Sequence, residues 1–148
     1  MAGFRYPYQK IVDLKTSEKT QAEWMLSAAI GRLQAEEMSL ADLEAEKTVW
    51  LERFHSAAVE IIPLAELVLI QDYVGYLETC IARKLDEVRL AKTDVELKQH
   101  RLQGRMMDEK VWLKAKEKAL VRFRHAMAIK EQNELDEIAT SRFAASAQ

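Results

Sequence analysis

Apolar side chains recur along this chain at a spacing of seven. Near the start, Val12, Lys19, Leu26, Leu33, Leu40, Lys47, Phe54 and Ile61 form one such series, interrupted only by the two lysines. Three residues further on, Lys15, Ala22, Ala29, Glu36, Leu43, Trp50 and Ala57 form its companion, with Lys15 and Glu36 as the polar members. In the second part Leu67, Val74, Ile81, Val88, Val95 and Leu102 recur without a miss. Met106, Leu113, Leu120 and Met127 continue at the same interval, four residues out of phase. Apolar seams sustained over this many heptads predict helices wound around each other, rather than surface helices on a globular core.

Two prolines punctuate the pattern. Pro7 suits the first turn of a helix, where its fixed φ and missing N–H do no harm. Pro63 pushes Ile62 away from helical geometry and predicts a bend over about 57–63. The fold expected is therefore all-α: a long antiparallel two-helix coiled coil, an α-helical hairpin in one domain spanning 1–148. Its helices run over about 8–58 and 64–140, and a short flexible tail follows at 141–148. At about 1.5 Å per residue the first helix spans roughly 75 Å and the second roughly 115 Å. Folding back at the bend places Tyr8 near Lys116 to Lys118. The stretch from about Leu120 to Phe143 then has no partner in the chain, although it carries Leu120, Phe123, Met127, Leu135 and Ile138. A single helix of that kind is marginal alone, since packing of an apolar face supplies most helical stability.

Composition agrees. The 148 residues include 4 glycines and 2 prolines, far below the roughly 7% and 5% of average usage, which excludes turn-rich sandwiches and barrels. Lys and Arg number 22 against 24 Asp and Glu, so bulk charge points to neither nucleic acid nor membrane. The one cysteine, Cys80, excludes an intrachain disulfide framework and fits a reducing compartment. Met1 to Lys10 contains no apolar signal region, and the apolar run Ile61 to Ile70 is too short to span a bilayer. A soluble cytoplasmic protein is expected.

Candidate chemistry is sparse. No glycine-rich run precedes a Lys-Ser or Lys-Thr pair, so there is no phosphate loop. His55, His100 and His125 have no zinc-type neighbours. A thin rod offers no concavity to desolvate its many carboxylates, and no catalytic residue, cofactor site or metal site is expected. Charge is uneven: residues 34–66 are mostly acidic, residues 98–130 mostly basic, and Glu131, Glu134, Asp136 and Glu137 follow at once. The basic stretch reads either as a nucleic-acid binder or as a solvated coil flank. Interleaved core residues and acids favour the flank, so no nucleic-acid partner is expected. Beside the seam, Tyr73, Leu77, Cys80 and Lys84 share one face through spacings of three and four, with Tyr76 close by. That stripe reads either as a docking patch or as cover for a widened core.

Three stretches resemble a known family. Residues 4–15, Phe-Arg-Tyr-Pro-Tyr-Gln-Lys-Ile-Val-Asp-Leu-Lys, are similar to the opening of the flagellar export protein FliJ family. Gln71-Asp72-Tyr73-Val74 with Leu77-Glu78 and Ile81 resembles its middle. Lys130-Glu131-Gln132-Asn133-Glu134-Leu135-Asp136-Glu137-Ile138-Ala139 resembles its close. The resemblance covers essentially the whole chain.

What the resemblance implies is a non-enzymatic component of the flagellar type III export apparatus, serving flagellum biogenesis and motility. It implies a central stalk, built like the coiled coil of the ATP synthase γ subunit, that promotes assembly and activity of the hexameric export ATPase FliI. It further implies contacts with the ATPase regulator FliH, the export gate protein FlhA and export chaperones, with no small-molecule substrate. The protein would then sit in the cytoplasm, peripherally associated with the membrane at the flagellar base. By the same resemblance the ring-facing residues are Phe4, Tyr6, Tyr8, Gln9, Lys10, Arg122, Lys130, Glu131, Leu135, Asp136 and Glu137. The gate-facing residues are Tyr73, Leu77, Cys80 and Lys84. The equivalent stalk of a virulence secretion system and a generic coiled-coil scaffold are the alternative readings.

Overall fold

The computed structural model describes residues 3–147. They form two α-helices packed against each other, α1 (Gln9–Val59) and α2 (Leu64–Ser146), with no strand among the described residues. The all-α helical hairpin read from the heptads is the observed fold. Helix α2 continues through residues 141–146, beyond the end at Thr140 that the sequence suggested. By packing, the chain divides into two compact units, one of Gln21–Gln103 and one of Met1–Thr20 with Gly104–Gln148.

In the Gln21–Gln103 unit, four residues link the helices. The last bond of α1 runs from the Glu60 N–H to the Ser56 carbonyl at 3.3 Å, and the Pro63 carbonyl accepts from Glu66 N–H at 3.0 Å to start α2. Glu66 lies in the first turn of α2, where its charge complements the helix dipole. Because the residue before a proline avoids helical geometry, residues 60–63 leave the helix. Ile61, expected to close the first series, is consequently fully exposed, and the seam of α1 ends at buried Ala57.

Along α1 every other member of both series in this unit is covered, including the polar positions Glu36 and Lys47. Along α2 the covered residues are Leu67, Val74, Ile81, Val88, Val95 and Leu102, with a companion row of Ile70, Leu77, Lys84, Ala91 and Lys98. As α1 advances from Glu36 to Trp50, its partners on α2 recede from Lys84 to Tyr73, which makes the pairing antiparallel. The fully buried set is Ala29, Ala57, Val74, Leu77, Val88 and Ala91. Small residues dominate because a two-stranded coil has a core only one layer deep.

In the second unit the chain enters through a turn in which the Gln9 N–H bonds the Tyr6 carbonyl at 3.1 Å, with Pro7 at the first central position. Val12 is buried against α2, and Phe4 meets Phe123 with ring centroids 5.4 Å apart. Tyr8 faces Trp112 at 6.0 Å, one turn before the lysines expected beside it. The covered residues of α2 here are Glu109, Trp112, Ala115, Lys116, Ala119, Leu120, Phe123 and Met127. Met106 and Leu113, expected in the seam, are instead 51% and 44% exposed. The seam keeps the phase of Leu102 through Glu109, Lys116 and Phe123, and a cross-helix ion pair to Glu109 holds it there. From Ala128 to Ala147 every residue is exposed. The unpartnered stretch therefore begins at 128, not at Leu120: Leu120, Phe123 and Met127 are all part-covered, and Phe4, ahead of α1, packs on Phe123.

Candidate interaction surfaces

The first surface is built around Tyr73. Its hydroxyl donates to the Glu46 carboxylate of α1, and its ring meets Trp50 edge-on at 4.9 Å. The Arg53 guanidinium lies 4.6 Å from the Trp50 centroid, a cation–π contact on the same side. The bond to Glu46, then desolvation and the carboxylate charge, raise the Tyr73 pKa above its ordinary value. Tyr76, 61% exposed, stands 6.1 Å from Tyr73, and its pKa is raised chiefly by a hydrogen bond with Cys80.

Of the four residues expected on this patch, the structure buries Leu77 outright and draws Lys84 into the seam. Leu77 is 2% exposed and is the most deeply buried side chain among the described residues. It belongs to the companion row of the seam and cannot touch a partner while the helices stay paired. Tyr73 and Cys80 flank the seam and are half-buried, each with an edge toward solvent. Lys84 occupies a seam position, where Nζ bonds Glu87 at 2.7 Å and Glu36 of α1 at 2.9 Å. Those two carboxylates, Glu87 first, raise its pKa, and Lys84 in turn lowers that of Glu87. The sequence reading missed Glu46, Trp50 and Arg53, whose contribution arises only when α1 is laid beside α2.

The second surface lies in the other unit. Phe4 and Tyr6 are half-buried, Tyr8 and Lys10 are exposed, and Gln9 donates to Asp13 Oδ1 at 2.9 Å. Phe4 and Tyr8 sit on α2 at Phe123 and Trp112, and Arg122, next to Phe123 in the chain, is exposed. Lys130, Glu131, Leu135, Asp136 and Glu137 lie further along α2, all exposed, and α1 reaches none of them. Gln132 bonds Asp136 at 3.1 Å one turn away, so the polar contacts on this stretch are local. Ile129, Leu135, Ile138 and Phe143 leave their apolar surface open.

His55, His100 and His125 are exposed and apart, and no cluster of His, Cys, Asp or Glu suited to a metal occurs among the described residues. No described helix is long and apolar enough to cross a membrane.

The flagellar FliJ protein family matches residues 4–148. The chain belongs to the FliJ family. Its fold is also that of a YscO homolog, CT670 from Chlamydia trachomatis, with a TM-score of 0.62 at 16% sequence identity, covering 93% of this chain and 94% of that one. No curated protein matches the sequence. As a FliJ-family chain it carries open aromatic edges and many charged side chains on the outside of its helices.

Proposed function

We propose that this chain is the stalk component of the flagellar type III export apparatus and performs no chemistry of its own. Its exposed α2 terminus, with Phe4, Tyr6, Tyr8, Gln9, Lys10 and Arg122 at the base, engages the hexameric ATPase FliI. Lys130, Glu131, Leu135, Asp136 and Glu137 supply charge and an apolar anchor along that terminus. The surface around Tyr73, Tyr76, Cys80 and Lys84, seated on Leu77, engages the export gate FlhA. The regulator FliH and the export chaperones are its further partners, and its place is the cytoplasmic face of the membrane at the flagellar base. Family membership supports the apparatus.

The observation that carries the ATPase role is the run of exposed residues from Ala128 to Ala147 on a continuous helix, apolar side chains included. A lone helix gains little stability from its own backbone, so an ordered apolar-bearing terminus is best explained by a partner that covers it. The test is to mix the export ATPase with the full chain and with a chain ending at Met127, following ring assembly and ATP turnover. Stimulation by the full chain alone is expected. Equal stimulation by both would refute the role given to the terminus.

A further inference from the structure

Between Val12 and Ala22 the covered residues of α1 are Lys15, Glu18, Lys19 and Thr20, and between Leu102 and Trp112 of α2 the one covered residue is Glu109. Lys19 pairs with Glu109 and Glu18 with Arg105, both at 3.1 Å, so the two stretches face each other. At this level the seam holds charge and no covered apolar side chain from either helix. Both helices are also weak there. Thr20 Oγ1 donates to the Thr16 carbonyl at 3.0 Å, a back-bond of the kind that loosens and bends helices. Gly104 of α2 has open space where a Cβ would stand and no positive φ, so nothing in the chain asks for glycine, the poorest helix former after proline. The boundary between the two compact units falls at the same place, after Thr20 and before Gly104.

What lies ahead of this gap is lightly held. In residues 3–20 Val12 alone is buried, while Phe4, Tyr6 and Ile11 are part-covered. Segments with few buried apolar contacts open locally while the rest of a chain stays folded. We propose that residues 3–20 are a strap that leaves α2 as one unit, with the helices still paired from Ala22 through the bend to Leu102, and that a partner gripping α2 takes its place. Opening extends the uncovered run of α2 from Ala128 back to Lys110 and adds Trp112, Leu120, Phe123 and Met127 to the apolar side chains within reach. It also releases Phe4 from Phe123. When seated, the strap competes for the face the partner needs, so apparent affinity falls with the fraction of chains that are open. The identity of the partner rests on the ATPase role given above; the opening does not.

Hydrogen exchange of the full chain alone tests the opening. Amides of 10–20 and 109–127 should exchange as one group, at least about tenfold faster than those of 26–50 and 74–91. Lys19→Leu with Glu109→Leu fills the gap with apolar side chains, which commonly match or exceed a part-buried ion pair in stability. That pair of changes should slow the strap amides roughly tenfold and leave those of 74–91 unmoved. Val12→Ser should speed the strap amides, again with 74–91 unmoved. One common rate in the parent, or strap amides indifferent to both variants, overturns the strap. With the export ATPase, the closed double variant should stimulate turnover less than the parent in spite of its firmer fold. Equal stimulation by the two would overturn the competition between strap and partner. A parent that gives no stimulation refutes the ATPase role instead, and the exchange result then decides the strap alone.

Discussion

Lys19 and Glu109 meet at 3.1 Å across the seam between α1 and α2, at positions where a coiled coil ordinarily carries apolar side chains. Only 13% of the Glu109 side chain is exposed. One turn of helix from this pair, Arg105 bonds Glu18 at 3.1 Å. Polar pairs inside a seam favour one alignment over its slipped neighbours, since a slip of a heptad sets Glu109 against Val12 or Leu26 and Lys19 against Leu102 or the like-charged Lys116. We therefore expect Lys19→Glu and Glu109→Lys each to lower the melting temperature, and the double reversal to recover most of the loss. Circular dichroism melts of the four proteins read this directly. A double mutant as unstable as the two losses combined would remove the pair from the account.

The same pair sets a pH response. Lys19 first, then Thr16, holds the Glu109 carboxyl below its ordinary range, and Lys84 does the same for Glu87. A carboxyl whose folded pKa lies below the unfolded value contributes stability above the unfolded value, about 4.3. That contribution fades as pH falls through the folded value. Melting temperature should hold from neutrality down to about pH 5 and then decline. In Glu109→Gln the decline should be shallower, from a lower neutral starting point. Lys84, raised by Glu87 and Glu36, acts at the other end: its share persists below the ordinary lysine range and is lost as pH climbs through its folded value.

Leu77 and Tyr76 are neighbours in sequence and opposites in burial. Leu77→Ala should cost about 2–5 kcal/mol by urea unfolding, the range for emptying a buried leucine site. Tyr76→Ala should fall within about 0.5 kcal/mol of the parent, as surface changes do. Calorimetry with the gate protein should rank them the other way, Tyr76→Ala losing affinity while the chain stays folded. Unchanged gate affinity in Tyr76→Ala would dismiss this surface as the contact.

Where the chain is cut decides whether a truncation tests folding or function. Ending it at Met127 removes, among the described residues, only exposed ones, so the melting temperature should move by no more than a degree or two, since stability responds to lost burial. Ending it at Lys118 strips Phe123 from Phe4 and uncovers the entry segment. That shorter chain should lose about 1–3 kcal/mol, from lost apolar burial and one aromatic pair.

Hydrogen exchange should grade α2 along its length. Amides from Val74 to Ala91, beside the buried core, should exchange slowest, and those from Ala128 onward fastest, since local opening there breaks no packing. Uniform protection to the C-terminus would mean that a second copy already covers it.

Much of this protein is written in its heptads. The fold, the bend before Pro63 and the covered rows of α1 follow from sequence because a seven-residue apolar repeat gives each helix one seam, and a short link at Pro63 folds the two seams together. The reading failed where the repeat is polar. Glu109 and Lys116 occupy seam positions, and a search for apolar residues moved the phase to Met106 and Leu113, which face solvent. It also left Leu77 open between a docking patch and cover for a widened core, since a face defined by spacing does not say which side the partner helix lies on.

By itself, then, the sequence determined the helices, their antiparallel return and the family, because these depend on local periodicity and on letters. Only the tertiary structure decided which charges pair across the seam, which aromatic edges stay open and where α2 is left uncovered. Those depend on the register of one helix against the other, and it takes the pairings of Lys19 with Glu109, Glu36 with Lys84 and Phe4 with Phe123 to settle it.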